Sequence, residues 1–138
     1  MDRKNIAKKN YLGRFNCAQS VVLSFKDEIG LSDDYLEKIS LGFGGGIGNL
    51  QKTCGALTGG VIVLSVLDKD NIKNLIKKLF EEFEIRNGYL ECLNLINIDF
   101  VDTSYVLTEE ENIIKQEKCL GYVLDVVEIL EMLLVNTK

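Results

Sequence analysis

The chain has 138 residues, of which 46% are hydrophobic and 27% charged, and a net charge of −5. One domain of this length buries a core without disulfide staples, and its acidic balance argues against non-specific nucleic-acid binding, which needs a basic surface. Four cysteines and no histidine exclude every mechanism that requires an imidazole as base or metal ligand.

The basic residues Arg3, Lys4, Lys8 and Lys9 precede no long apolar run, so no signal peptide is expected. The most apolar stretch, Ala56 to Leu67, falls well short of the roughly 20 residues that a membrane span needs. Neither nucleic acid nor membrane is an expected partner. A cytoplasmic, reducing location is expected, where clustered cysteines more often signify metal or redox chemistry than permanent disulfides.

Proline is absent and apolar residues recur at helical spacing. Residues 1–138 therefore read as one all-α domain, a bundle of about six to seven helices with a glycine-rich inter-helix loop. The first helix covers about Asp2 to Leu12 and stops at Gly13; with Ile6, Ala7, Tyr11 and Leu12 among its basic residues it reads as a short surface helix. Asn16 with Gln19 resembles a capping box and opens the second, whose apolar face is Val21, Val22, Phe25 and Ile29 and whose end is Gly30. Ser32 caps the third, with Asp33 and Asp34 in its first turn, and it runs into Gly42. A flexible loop, Gly42-Phe43-Gly44-Gly45-Gly46-Ile47-Gly48, follows. Thr53 is the expected N-cap of the fourth helix, Cys54 to about Leu67. Asn71 starts the fifth, carrying Leu75, Ile76, Leu79, Phe80 and Phe83 to near Gly88. A short helix spans about Tyr89 to Ile96, and residues 99–105 form a connection. Thr108 with Glu111 is a second capping-box match. It opens a helix to about Val135, with Leu120, Val123, Leu124, Val127, Leu130 and Leu134 on its apolar face. That face could pack within one chain or across a homodimer.

On this map Cys17 and Cys54 each fall at the first position of a helix. Unpaired N–H groups and the positive end of the helix dipole favour a thiolate there. Gly55, Ala56, Gly59 and Gly60 after Cys54 leave room for another group to approach its sulfur. Cys92 and Cys119 fall within helices on apolar faces, Cys92 with Tyr89, Leu93 and Ile96, Cys119 with Val123, Val126 and Leu130. Taken alone, each reads as an inert buried thiol. The glycine run follows no strand and is not followed by Gly-Lys-Thr, so it is neither a dinucleotide fingerprint nor a P-loop. It is either a plain connection or a backbone that packs over Cys54 and admits a ligand. In the second case Gly44, Gly45, Gly46 and Gly55 are the candidate binding positions.

Asn16-Cys17-Ala18-Gln19-Ser20-Val21, the glycine run, Thr53-Cys54-Gly55-Ala56-Leu57-Thr58-Gly59 and the lone Cys92 and Cys119 together resemble the C_GCAxxG_C_C family of redox-active proteins. The resemblance spans about Asn10 to Leu130. In the family label glycine precedes the second cysteine, whereas here Gly55 follows Cys54. The resemblance implies that Cys17, Cys54, Cys92 and Cys119 are the family's four cysteines, and it raises Cys92 and Cys119 from packing residues to candidate functional ones.

Three functions compete. In a thiol redox protein, Cys54 or Cys17 attacks a disulfide of a partner protein or small thiol, and a second cysteine resolves the mixed disulfide. Alternatively, Cys17, Cys54, Cys92 and Cys119 form a Cys₄ set for zinc or an iron–sulfur cluster, although their wide spacing lacks the usual pair of ligands from one short loop. The third reading is a helical interaction module without chemistry. The expected reactive centre is Cys54, with Cys17 as its neighbour.

Overall fold

The computed structural model describes residues 2–101 and 104–135; Asp102 and Thr103, within the expected 99–105 connection, lie outside them. The described residues form eight α-helices and no strand: α1 (Arg3–Leu12), α2 (Cys17–Ser24), α3 (Lys26–Ile29), α4 (Asp33–Leu41), α5 (Gly55–Leu67), α6 (Ile72–Asn87), α7 (Cys92–Ile96) and α8 (Glu109–Val135), with a 3-10 turn over Lys69–Asn71 before α6. No helix among them is long and apolar enough to cross a membrane.

The caps follow from the residue types. Asp2 accepts from the Asn5 N–H and starts α1. Asn16 and Gln19 complete a reciprocal capping box on α2, as do Thr108 and Glu111 on α8. Each box satisfies two backbone donors that the helix start leaves unpaired. The expected second helix is broken at Phe25, where φ is −108° and ψ is 15°, and this break raises the helix count to eight. Just before it, the Ser24 hydroxyl donates to the Val21 carbonyl at 2.6 Å, a back-bond that competes with the helical ladder and bends it. Phe25 turns inward and is buried beneath the Arg3 guanidinium. Helix α3 then resumes and closes on Gly30 in the left-handed region.

Helix α5 is the central element, and its small residues let neighbours approach on two sides. A Cβ at Gly59 would lie 2.8 Å from the Ala18 carbonyl of α2, and one at Gly60 would lie 3.0 Å from Leu79 of α6 and 3.1 Å from Val126 of α8. Glycine costs about 1 kcal/mol in a helix interior, which the close packing offsets. Val21, Val22, Leu57, Val63, Leu64, Leu75, Leu79, Phe83, Val123, Val127 and Leu130 complete the core. The apolar face of α8 is thus largely consumed inside the chain. Each buried Leu, Ile, Val or Phe contributes on the order of 1.5–3 kcal/mol.

The N-terminal cations are structural. Arg3 pairs with Glu28 and Glu131, and Lys4 with Glu128. Arg86 of α6 joins Glu82, Asp125 and Glu128. This network ties α1, α3 and α6 to the C-terminal half of α8, and Ala7 is fully buried. Helix α1 is therefore an integrated element of the bundle rather than a surface helix.

Candidate functional site

Four separate elements each deliver one cysteine. The capping box fixes Cys17 as the first residue of α2. Cys54 is not the first residue of α5 but its N-cap, in extended backbone (ψ 130°). Thr53, the expected cap, instead forms an isolated antiparallel bridge with Glu91. Around that bridge the Cys54 N–H donates to the Leu90 carbonyl at 2.9 Å, and the Cys92 N–H to the Lys52 carbonyl at 2.7 Å. The bridge brings Cys54 and Cys92 to one place, and Cys92 becomes the first residue of α7 rather than a residue inside a longer helix. Its expected companions Tyr89 and Leu93 are exposed while Cys92 is buried. Helix α7 is docked on α8 where the Tyr122 hydroxyl donates to the Leu95 carbonyl and the Lys118 ammonium to the Ile96 carbonyl. Cys119 lies between those two anchors in sequence.

The glycine run between α4 and α5 is a wound, hydrogen-bonded coil. Gly45, Gly46, Ile47, Gly48 and Asn49 all have φ between 58° and 75°. N–H groups of Gly48, Asn49, Gln51 and Lys52 donate back to the carbonyls of Gly42, Gly44, Gly45 and Gly46. Left-handed backbone costs an L-residue roughly 1–2 kcal/mol, so Ile47 holds that conformation only because the ladder around it imposes it. Of the two readings left open for it, plain connection or cover over Cys54, the coil is a packed element: it lies against Cys92 and against Gly55, the residue after Cys54. A Cβ at Gly46 would lie 2.8 Å from the Cys92 Cβ, and one at Gly55 would lie 2.4 Å from the Cys17 sulfur and 2.7 Å from the Phe43 carbonyl. Glycine directly after Cys54 is therefore required by the sulfur of Cys17. Gly44 lies against the Asn16 side chain.

All four cysteines line one cavity of about 700 Å³. Of the four candidate glycines, Gly45 and Gly55 border it and Gly44 and Gly46 do not. The remaining wall is mixed: the rings of Tyr11, Phe15, Phe100 and Tyr122, the amides of Asn16, Asn49, Asn112 and Gln116, and the charged side chains of Glu109 and Lys115. Sequence reasoning left Tyr11, Phe100, Lys115 and Tyr122 out of the site. The one signal that pointed to any of them was the i, i+4 spacing of Lys115 and Cys119.

Burial opposes the thiolate character expected of Cys17 and Cys54. Cys17 and Cys54 belong to the hydrophobic core cluster, which does not include Cys92 or Cys119. Relative exposure is 9% for Cys17 and 6% for both Cys54 and Cys92, while Cys119 is half-buried. Burial pushes the Cys17 thiol up, opposed by the N–H groups of Gly45, Ala18 and its own residue and by Lys115. Burial, followed by the nearby Cys17, holds Cys54 well above the ordinary range, opposed by the N–H groups of Ala56 and Leu57. Burial and Cys119 push Cys92 up to about 12, with Gln51 and Lys115 opposing. Burial and Cys17 push Cys119 up to about 11, with Tyr11, Lys115 and Lys118 opposing. The helix-start donors anticipated for Cys17 and Cys54 are present, but loss of solvent outweighs them. All four groups rest as thiols at neutral pH. The cysteines raise one another's values, so they are close enough for the ionisation of one to be felt by the next.

Among the described residues no group of three or more Cys, Asp or Glu side chains could hold a metal ion. The Cys₄ alternative finds no ligand set in this arrangement.

A family model described as "Putative redox-active protein (C_GCAxxG_C_C)" matches residues 15–133. Neither the curated proteins nor the solved structures contain a match to the chain.

Proposed function

The chain belongs to the C_GCAxxG_C_C family, and from that footing we propose that it is a thiol–disulfide exchange protein whose four cysteines act within one pocket. The observation that carries this reading is the convergence of Cys17, Cys54, Cys92 and Cys119, from α2, α5, α7 and α8, on a single cavity. Inert core thiols have no reason to share one cavity wall.

A thiol of the pocket loses its proton and its sulfur attacks one sulfur of a partner disulfide. That S–S bond breaks and the departing sulfur takes a proton. A second pocket cysteine then displaces the remaining partner sulfur, leaving a protein disulfide and two partner thiols. Two electrons and two protons pass from protein to partner, and the reverse sequence regenerates the dithiol. Cys17 with Cys54 forms the inner pair, because the Cys17 sulfur lies against the residue that follows Cys54. Cys92 and Cys119 line the same cavity and supply the remaining two thiols. A reducing, cytoplasmic location would return the thiols to the reduced state between cycles.

The test is a count of free thiols by alkylation and intact-mass measurement, before and after mild oxidation with a soluble disulfide. Loss of thiols in twos, reversed by reductant, is expected, with peptide mapping to assign the pairs. Four thiols that persist after oxidation would refute the proposal.

A further inference from the structure

The place of the sulfurs restricts what can reach them. Three of the four have almost no contact with solvent, and the fourth, Cys119, is half-buried on the wall of the cavity. Attack on a disulfide requires the sulfur to approach along the S–S axis to bonding distance. A molecule of a few tens of atoms fits a cavity of about 700 Å³ and can pass its disulfide to the buried thiols, which a disulfide fixed on the surface of a folded protein reaches less readily.

The wall also carries a charge in a fixed position. Lys115 precedes Cys119 by one turn of α8, so the two side chains share a face. Its ammonium lies 4.2 Å from the centre of the Phe100 ring, and among the described residues it makes no ion pair. The one carboxylate of the lining, Glu109, belongs to the first turn of α8. Asn16, Asn49, Asn112 and Gln116 offer amide donors around the same space, and four aromatic rings provide faces for an apolar body.

We propose that the disulfide exchanged in this pocket is a small molecule bearing a carboxylate, that Lys115 holds that carboxylate, and that Cys119 is the first thiol it meets. The inference rests on the thiol–disulfide reading above. The Cys119 sulfur attacks the nearer sulfur of the bound molecule. The departing thiol takes up the proton that Cys119 gave, and a second cysteine of the pocket releases the other half with its own proton. Lys115 serves as a binding and positioning residue, not as a proton donor.

Reduced protein is mixed separately with dithiodiglycolate (anionic), bis(2-hydroxyethyl) disulfide (neutral), cystamine (cationic) and insulin (a folded protein disulfide). Each rate is divided by the rate of the same disulfide with 2-mercaptoethanol, which removes intrinsic reactivity. The expected ratio favours the anionic over the cationic disulfide by about tenfold, shrinks towards unity in 1 M salt, and places insulin last. Lys115→Gln collapses the charge preference, Lys115→Arg preserves it, and Cys119→Ser abolishes the mixed disulfide with dithiodiglycolate. Equal normalised rates, a preference unmoved by Lys115→Gln, or insulin reacting fastest would overturn the inference while leaving thiol–disulfide exchange in place. If none of the four disulfides consumes a thiol, both readings fall.

Discussion

Gly55 provides the sharpest test of how the pocket is assembled. In Gly55→Ala the new Cβ lies 2.4 Å from the Cys17 sulfur and 2.7 Å from the Phe43 carbonyl, where ordinary contact begins at 3.4 Å. The sulfur must retreat by about 1 Å and the carbonyl by about 0.7 Å in an interior packed like a crystal. The carbonyl is main chain and cannot rotate away, so the overpacking cost falls near the upper end of the usual range, about 3 kcal/mol. Alanine recovers at most about 1 kcal/mol of helix propensity at the start of α5. The net expectation is a loss of about 2 kcal/mol, or roughly 7 °C in Tm for a domain of this size. Urea unfolding followed by far-UV circular dichroism measures it, with an unchanged m-value as the control. The double variant Gly55→Ala with Cys17→Ala removes the sulfur and leaves only the clash with the carbonyl. It should therefore be more stable than the two single effects summed, by about 1 kcal/mol. A Gly55→Ala protein within 0.5 kcal/mol of the parent, or strictly additive single effects, would refute the packing of Cys17 against α5.

Gly121 is the counterpart: it is exposed in the interior of α8 and a Cβ there meets nothing within 4 Å, so Gly121→Ala should stabilise by about 0.5–1 kcal/mol in the same assay. Stability should also fall with alkali. An unfolded thiol ionises near 9.0, while the folded chain keeps Cys92 protonated to about 12 and Cys119 to about 11. The folded state then holds protons that the unfolded chain has lost. Stability is therefore full below about pH 8 and declines above pH 9 by about 1.4 kcal/mol per pH unit for each thiol, up to about pH 11 for Cys119 and about pH 12 for Cys92. Denaturant titrations at pH 7, 9 and 10.5 measure this, and a flat profile would contradict it; replacing both Cys92 and Cys119 by serine should make the decline shallower without abolishing it, because Cys17 and Cys54 are raised too. In native alkylation Cys119, the most accessible, should label first and Cys54 last, read by timed peptide mapping. Gln51 is buried, donates to the Ile98 carbonyl and accepts from the Phe100 N–H, so Gln51→Met leaves two backbone groups unpaired. It should cost about 2 kcal/mol and speed the labelling of Cys92, measured by unfolding and by the same mapping.

The helix starts were legible wherever a cap is a short-range event. Asn16 with Gln19, Ser32, and Thr108 with Glu111 each act on backbone donors two or three residues away, and each starts the helix expected of it. Gly30 and Gly88 end helices for an equally local reason, since both take up a left-handed conformation. The break at Phe25 was not legible, because it depends on a buried ring and a serine back-bond that propensity does not register. The bridge between Thr53 and Glu91 was hidden as well: a single pairing across a large sequence separation leaves no alternating pattern.

The candidate site divides along the same line. That four cysteines without a histidine mark any chemistry here was visible in the residues alone, as was the family they indicate. Which cysteine is which could not be read there. A helix start predicts donors at a sulfur, and donors are present at Cys17 and Cys54, but it says nothing of how many neighbours exclude water from it. Burial is a property of the packed bundle, and it encloses the two expected thiolates and Cys92 alike, leaving Cys119 the most exposed of the four. Composition and capping act through contacts of a few residues and so survive in the sequence. The cavity, its lysine and the order of its thiols arise from α2, α5, α7 and α8 meeting in space, and only the tertiary structure decides that.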